Sequence, residues 1–262
     1  MLLASAWLGW RVRLRLPDHH RRSDTVDAIR VMMTLLVTFA AIVLGLLLTS
    51  AKAHYDDHLA NLENYSIDLI QLDQRLREYG AETDPARAVL RAYVAAAIAA
   101  TWPSEPRPSG TYPTHLVAAS PGSEESRTLG SMLLDVDRMI GHLTPTGALQ
   151  QELAPTARSL MQTTLQARWR LVDSARPTIS WLFLSGLIAW LVLIFAIFGL
   201  SSPANGLTVV VVAITALSLS LSLILILELD TPVRGLLRVS SAPLRDTLAH
   251  MDEVVPRLGQ EW

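Results

Sequence analysis

Between Arg176 and Glu228 no position carries a charge and nearly every one is apolar. The run is broken once, by Ser201-Ser202-Pro203-Ala204-Asn205-Gly206. This pattern predicts two membrane-crossing helices joined by a tight turn, at 177–200 and 207–227. Each reaches the roughly 20 apolar residues needed to cross about 30 Å of hydrocarbon. A second uncharged stretch lies between Arg30 and Lys52 and predicts a third span at 31–51.

From 52 to 176 the pattern changes to that of water-facing helices. Leu59, Leu62, Ser66, Leu69, Asp73 and Leu76 recur at alternating three and four spacing, the stripe of a helix with one packed face. With no breaker between Ser50 and Leu59, this helix continues the first span, and Gly80 is its expected C-terminal cap. Asp84-Pro85 supplies an N-cap and a first-turn proline, opening an alanine-rich helix to about Thr101. Five prolines between 102 and 122 mark a loop. Ser123, Glu124 and Glu125 open the next helix, which carries Leu129, Met132, Leu133, Val136, Met139, Ile140 and Leu143 on one face. Thr144-Pro145 and Ala154-Pro155 each read as a helix restart.

Beyond the third span, Glu228, Asp230, Pro232 and Gly235 end the helix at the interface. In the segment 228–262, Leu244, Leu248, Met251 and Val255 oppose Arg245, Asp246, Asp252 and Glu253. That segment either lies on the membrane surface or packs on the helical domain. The expected fold is therefore all-α: an integral, multi-pass membrane protein with three full transmembrane helices and a helical extramembrane domain at 52–176.

Composition supports the bilayer and narrows the chemistry. Half of the 262 residues are hydrophobic, and mean hydropathy is +0.32. A net charge of −2 gives no field suited to nucleic acid. The absence of cysteine excludes disulfides, thiolate metal sites and thiol catalysis. Residues 1–10 are apolar but reach only about 15 Å as a helix, half a bilayer. Arg11, Arg13, Arg15, Arg21 and Arg22 follow them, so the order is not that of a signal peptide; this basic strip suits anionic headgroups. Positive residues flanking the spans number six on each side, with Arg168 and Arg170 counted among them, so charge does not set orientation.

The spans themselves carry stripes of small or hydroxylated residues: Thr34, Thr38, Ala41, Gly45 and Thr49 on the first; Ser185, Ala189, Ala196 and Gly199 on the second; Thr208, Thr215, Ser218 and Ser222 on the third. Small residues let helices approach closely in lipid, so these are candidates for helix packing in a homo-oligomer or for lining a water-filled path. No ionisable group sits in the middle of a span, which argues against a coupled pump. A passive pore and a membrane-tethered sensor or scaffold both fit. His54 and His58 could share a helix face, and His19-His20 are adjacent, but two ligands do not make a metal site. No hydrolase, metalloprotease, P-loop or dinucleotide fingerprint is present, so neither an enzyme nor a cofactor is expected.

The C-terminal apolar helix ending in Leu229-Asp230-Thr231-Pro232-Val233-Arg234-Gly235, followed by Val239-Ser240 and Pro243-Leu244, resembles the bestrophin-like family of bacterial multi-pass membrane proteins, distant relatives of the bestrophin anion channels. Ala92-Tyr93 leading to Trp102-Pro103 resembles the family's Tyr…Trp-Pro element. The resemblance implies an oligomeric channel subunit in the cell membrane, small anions as cargo, family-motif roles for Tyr93, Trp102, Asp230, Pro232 and Gly235, and a cytoplasmic helical region. Two departures stand out. The family has four spans, and residues 1–10 are too short for the first. The acidic calcium-binding stretch after the last bestrophin span is also missing here, so calcium gating is not carried over.

Overall fold

The computed structural model describes residues 1–15, 23–113, 124–202, 205–231 and 237–253. Eight α-helices occur among them: α1 (Leu2–Arg13), α2 (Ser23–Tyr79), α3 (Asp84–Thr101), α4 (Glu124–Gly141), α5 (Ala148–Ser174), α6 (Trp181–Ser201), α7 (Gly206–Leu229) and α8 (Ala242–Asp252). No strand occurs among the described residues. The helices form two compact units, one of residues 1–56 and 177–237, the other of 57–176 and 238–262. Three helices, within α2, α6 and α7, are long and apolar enough to cross a membrane.

In the first unit α6 is the most enclosed of the three long apolar helices. Leu187, Leu191, Ile194 and Phe195 of α6 meet Leu2 and Ala6 of α1, Ala40 of α2 and Ala216 of α7 in one apolar core. Phe39 stacks on Trp190 with ring centroids 4.7 Å apart. A second cluster unites Ala51 with Ile226 and Leu229. Between α1 and α6 the backbones nearly touch. A β-carbon on Gly9 would lie 2.0 Å from the Ala196 carbonyl oxygen, and one on Gly199 would lie 1.9 Å from that of Ala6. Only glycine permits this approach. The stripe residues Ala196 and Gly199 thus serve contact within the chain, with a helix too short to read as a span.

The second unit is a helical bundle whose stripe follows the spacing. Leu62, Ser66, Leu69, Asp73 and Leu76 of α2 are all buried. They pack in a unit that also buries Leu90, Val94 and Ile98 of α3, Leu133, Val136 and Ile140 of α4, and Ala157 and Met161 of α5. Each fully buried Leu, Ile or Val contributes about 1.5–3 kcal/mol relative to exposure. Asp73 is tolerated on that face because Arg87 Nε donates to it at 2.8 Å and Arg77 Nη2 at 3.1 Å. α2 runs unbroken from the apolar segment to Tyr79, and Gly80 follows with φ of +123°.

Two sequence expectations shift, and a third, left between two alternatives, is settled. Asp84 is the first residue of α3, not its cap, and Pro85 follows it. A short 3₁₀ turn, Ala81–Thr83, feeds the helix, and the Thr83 hydroxyl turns back to the carbonyls of Gly80 and Leu76. Pro155 does not restart a helix; it lies inside α5. An interior proline costs about 3 kcal/mol, and burial of Leu153, Ala154, Ala157 and Met161 around it offsets that. Finally, α8 packs on the helical unit. Its Leu244, Leu248 and Met251 are buried, and the Thr247 hydroxyl donates to the Ser66 carbonyl at 3.3 Å. Val255 lies outside the described residues, as do His19, His20, Arg21, Arg22 and Pro203.

Candidate functional site

Apart from Ala41, which borders a cavity against α6 and α7, the stripe residues of α2 point away from the chain's own core. Thr34, Thr38, Ala41, Gly45 and Thr49 are exposed, while Ala40 and Ala51 are buried and Leu36, Val43, Leu44 and Leu47 are partly so. Helical spacing places these two sets on opposite faces. Nothing lies within 4 Å of a β-carbon built on Gly45. The hydroxyls are engaged locally: Thr34 donates to the Arg30 carbonyl at 3.0 Å, Thr38 to that of Thr34 at 2.9 Å.

On α7, Thr215 and Ser218 are exposed and Thr208 and Ser222 half-buried. Thr215 donates to the Val211 carbonyl at 2.9 Å, and Ser222 to that of Ser218 at 3.0 Å. The Asn205 side chain caps α7 by accepting from the Thr208 amide at 2.8 Å. One cavity of about 300 Å³ brings Thr215 of α7 beside Ala41 of α2, with Leu191, Phe195 and Phe198 of α6 behind them. Thr34, Thr38, Gly45 and Ser218 do not line it.

Of the family-motif residues, Asp230 has the clearest task. It is 4% exposed and forms the C-cap of α7. Its Oδ1 accepts from the Thr178 amide at 3.0 Å, the Thr178 hydroxyl at 2.8 Å and the Ile179 amide at 3.2 Å. One carboxylate therefore ties the end of α7 to the backbone that enters α6. It satisfies amides that would otherwise be unpaired at a helix start. The sequence marks Asp230 as a helix-ending charge at the interface and a family-motif residue, without showing what it binds. Residues 177–180 also precede α6 instead of opening it, and the Thr178 and Ile179 amides serve this clip. Pro232 and Gly235 lie outside the described residues, as does Arg234.

Tyr93 and Trp102 belong to the extramembrane unit. The Tyr93 and Tyr65 hydroxyls are 2.6 Å apart and buried. Burial pushes both phenols above their usual value, with the Tyr65 shift larger and the neighbouring Arg168 opposing it at each. Arg168 is itself only 5% exposed. Its position in the sequence suggests a membrane-flanking charge; the structure places it in the bundle core. The signal was its spacing, since Ala157, Met161, Thr164 and Arg168 fall on one buried face of α5. The Trp102 indole donates to the Val239 carbonyl at 2.7 Å, which fixes the chain entering α8.

His58 Nδ1 lies 2.9 Å from the Ser174 hydroxyl. Among the described residues no group of three or more His, Cys, Asp or Glu side chains could hold a metal ion.

Comparison with known proteins sets this geometry in context. A family profile described as the bestrophin-like domain matches residues 1–244. Among functionally curated proteins none matches significantly. Three crystal structures share the fold, each a single-residue variant of a bacterial bestrophin homolog from Klebsiella pneumoniae. The first has a TM-score of 0.65 at 16% identity, covering 95% of this chain and 97% of the other. The second gives 0.62 at 16% and the third 0.61 at 14%, with the same coverage.

Proposed function

This chain belongs to the bestrophin-like family, and on that premise we propose that it is a non-enzymatic, passive ion-conducting subunit that assembles with copies of itself in the cell membrane. Family membership over residues 1–244 is the observation that carries the reading. In the proposed arrangement the three long apolar helices cross the bilayer, and small anions are the cargo. Two features of the membrane unit support it. The apolar helix segments hold no mid-span charge, as a passive path permits. The small and hydroxyl-bearing face of α2, with Thr215 and Ser218 of α7, also remains exposed in the single chain, as a face that meets a neighbouring copy or a central path would.

Thr34, Thr38, Gly45, Thr208, Thr215, Ser218 and Ser222 are the proposed lining or packing residues. A passing anion needs donors, and the Thr38 and Thr215 hydroxyls now donate to their own helix carbonyls. Conduction through them requires those O–H groups to rotate towards the ion. Purified protein in liposomes should therefore show halide flux, reduced by Thr38→Val or Thr215→Val and kept by the matching Ser variants. Flux indifferent to all four substitutions would remove these hydroxyls from the path.

A second reading has one observation in its favour. Helix α2 is continuous over 57 residues, from its apolar segment into the helical unit, as a membrane-tethered sensor or scaffold would use it. Absence of flux from oligomers of verified mass would favour that reading.

A further inference from the structure

Arg11 and Arg13, which follow the first apolar residues, find a place in the membrane unit that ion conduction does not require. Trp7 and Trp10 of α1 face the start of α7 across a groove of about 570 Å³, within the roughly 300–1,000 Å³ of small-molecule sites. The groove has a polar and an apolar end. Ser202, Asn205 and Thr208 stand at the α6–α7 turn, while Leu3, Val209 and Val212 lie further along the helices.

Charge gathers at the polar end. The Arg13 guanidinium donates to the Ser202 carbonyl, which brings the basic end of α1 to that turn. Arg11 lies over the Trp7 ring, 4.8 Å from its centroid. Tryptophan and arginine together are the side chains suited to the headgroup layer.

We propose that this groove binds an anionic phospholipid, with one acyl chain along the Leu3, Val209 and Val212 wall and the phosphate beside Arg11 and Arg13. Charge complementarity selects this occupant. Apolar packing alone would accept any lipid tail, whereas two arginines at the headgroup end favour a net negative headgroup over a zwitterionic one.

The test uses the delipidated full chain in mild detergent, mixed with chain-matched phosphatidylglycerol and phosphatidylcholine and read by native mass spectrometry. Phosphatidylglycerol should be retained in preference, and Arg11→Gln should lower that preference by about fivefold, the contribution of one arginine near a membrane surface. Arg11 is exposed, so this change leaves the helix packing alone. Val209→Trp, which fills the groove, should abolish retention of both lipids.

Equal retention of the two lipids, or a preference unchanged by Arg11→Gln combined with Arg13→Gln, would overturn the proposal. So would a disulfide between copies formed by Leu3→Cys in this cysteine-free chain, because it would put a neighbouring subunit in the groove.

Discussion

Replacing Gly9 by alanine tests the tightest contact in the membrane unit. The added β-carbon would sit 2.0 Å from the Ala196 carbonyl oxygen. Such contacts essentially never fall below 3.0 Å, so α1 and α6 must separate by about 1 Å. The obstacle is backbone, with no flexible side chain to swing aside. A gap of that size forfeits a quarter to a half of each contact well along the seam. Overpacking of this kind costs about 1–3 kcal/mol.

Gly199→Ala meets the same seam from the other side, at 1.9 Å from the Ala6 oxygen. Once one substitution has opened the seam the second costs less, so the double variant should fall short of the sum. Gly186→Ala is the control. Nothing lies within 4 Å of its β-carbon, and helix propensity favours alanine by up to about 1 kcal/mol. The assay is unfolding in mixed micelles on titration with a denaturing detergent, followed by tryptophan fluorescence. If Gly9→Ala and Gly186→Ala unfolded at the same midpoint, or the two seam variants were additive, the close-approach argument would fail.

Asp230→Ala should destabilise the membrane unit by about 2–4 kcal/mol, since it strips charge-assisted bonds from two amides and a hydroxyl; Asp230→Asn, which keeps one acceptor oxygen, should cost less in the same titration. The pairing of Arg91 with Asp252, Nη2 to Oδ2 at 2.7 Å, holds the Asp252 carboxyl below its usual value through that hydrogen bond. A depressed carboxylate stabilises the fold above its unfolded pKa and loses that contribution as pH falls through the folded one. Amide exchange in α8 should therefore rise only below about pH 4. Because both side chains are partly exposed, the effect should be small and shrink with salt; exchange that begins near neutrality would contradict it.

Periodicity made most of this architecture legible. Apolar run lengths predicted three spans, and three apolar helices of spanning length are present. Spacing picked the buried face of α2, including the polar Ser66 and Asp73, because a packed face is set by angle and not by residue type. What spacing does not reveal is who partners a polar group. The roles of Asp230, serving amides 51 and 52 residues away, and of Arg168 in the core both depend on contacts between distant segments. Pro155 misled for a related reason: a local breaker rule was overridden by tertiary burial. The lining or packing role of the α2 and α7 stripes remains an expectation drawn from sequence, since it concerns contacts with a neighbouring copy.

The clip at Asp230 also bears on the order in which the molecule is made. α6, α7 and the clip close over a separation of 52 residues. The bond from Arg13 to Ser202, by contrast, joins groups 189 residues apart. Loop closure makes the longer joining dearer by only about 1 kcal/mol, so entropy barely separates the two events; synthesis does. The membrane unit is interrupted by residues 57–176, a stretch that takes roughly ten seconds to translate. For that interval α1 waits with its Gly9 face unmatched. The α6–α7 hairpin, once emerged, can shut its own ends at once and present a finished seam.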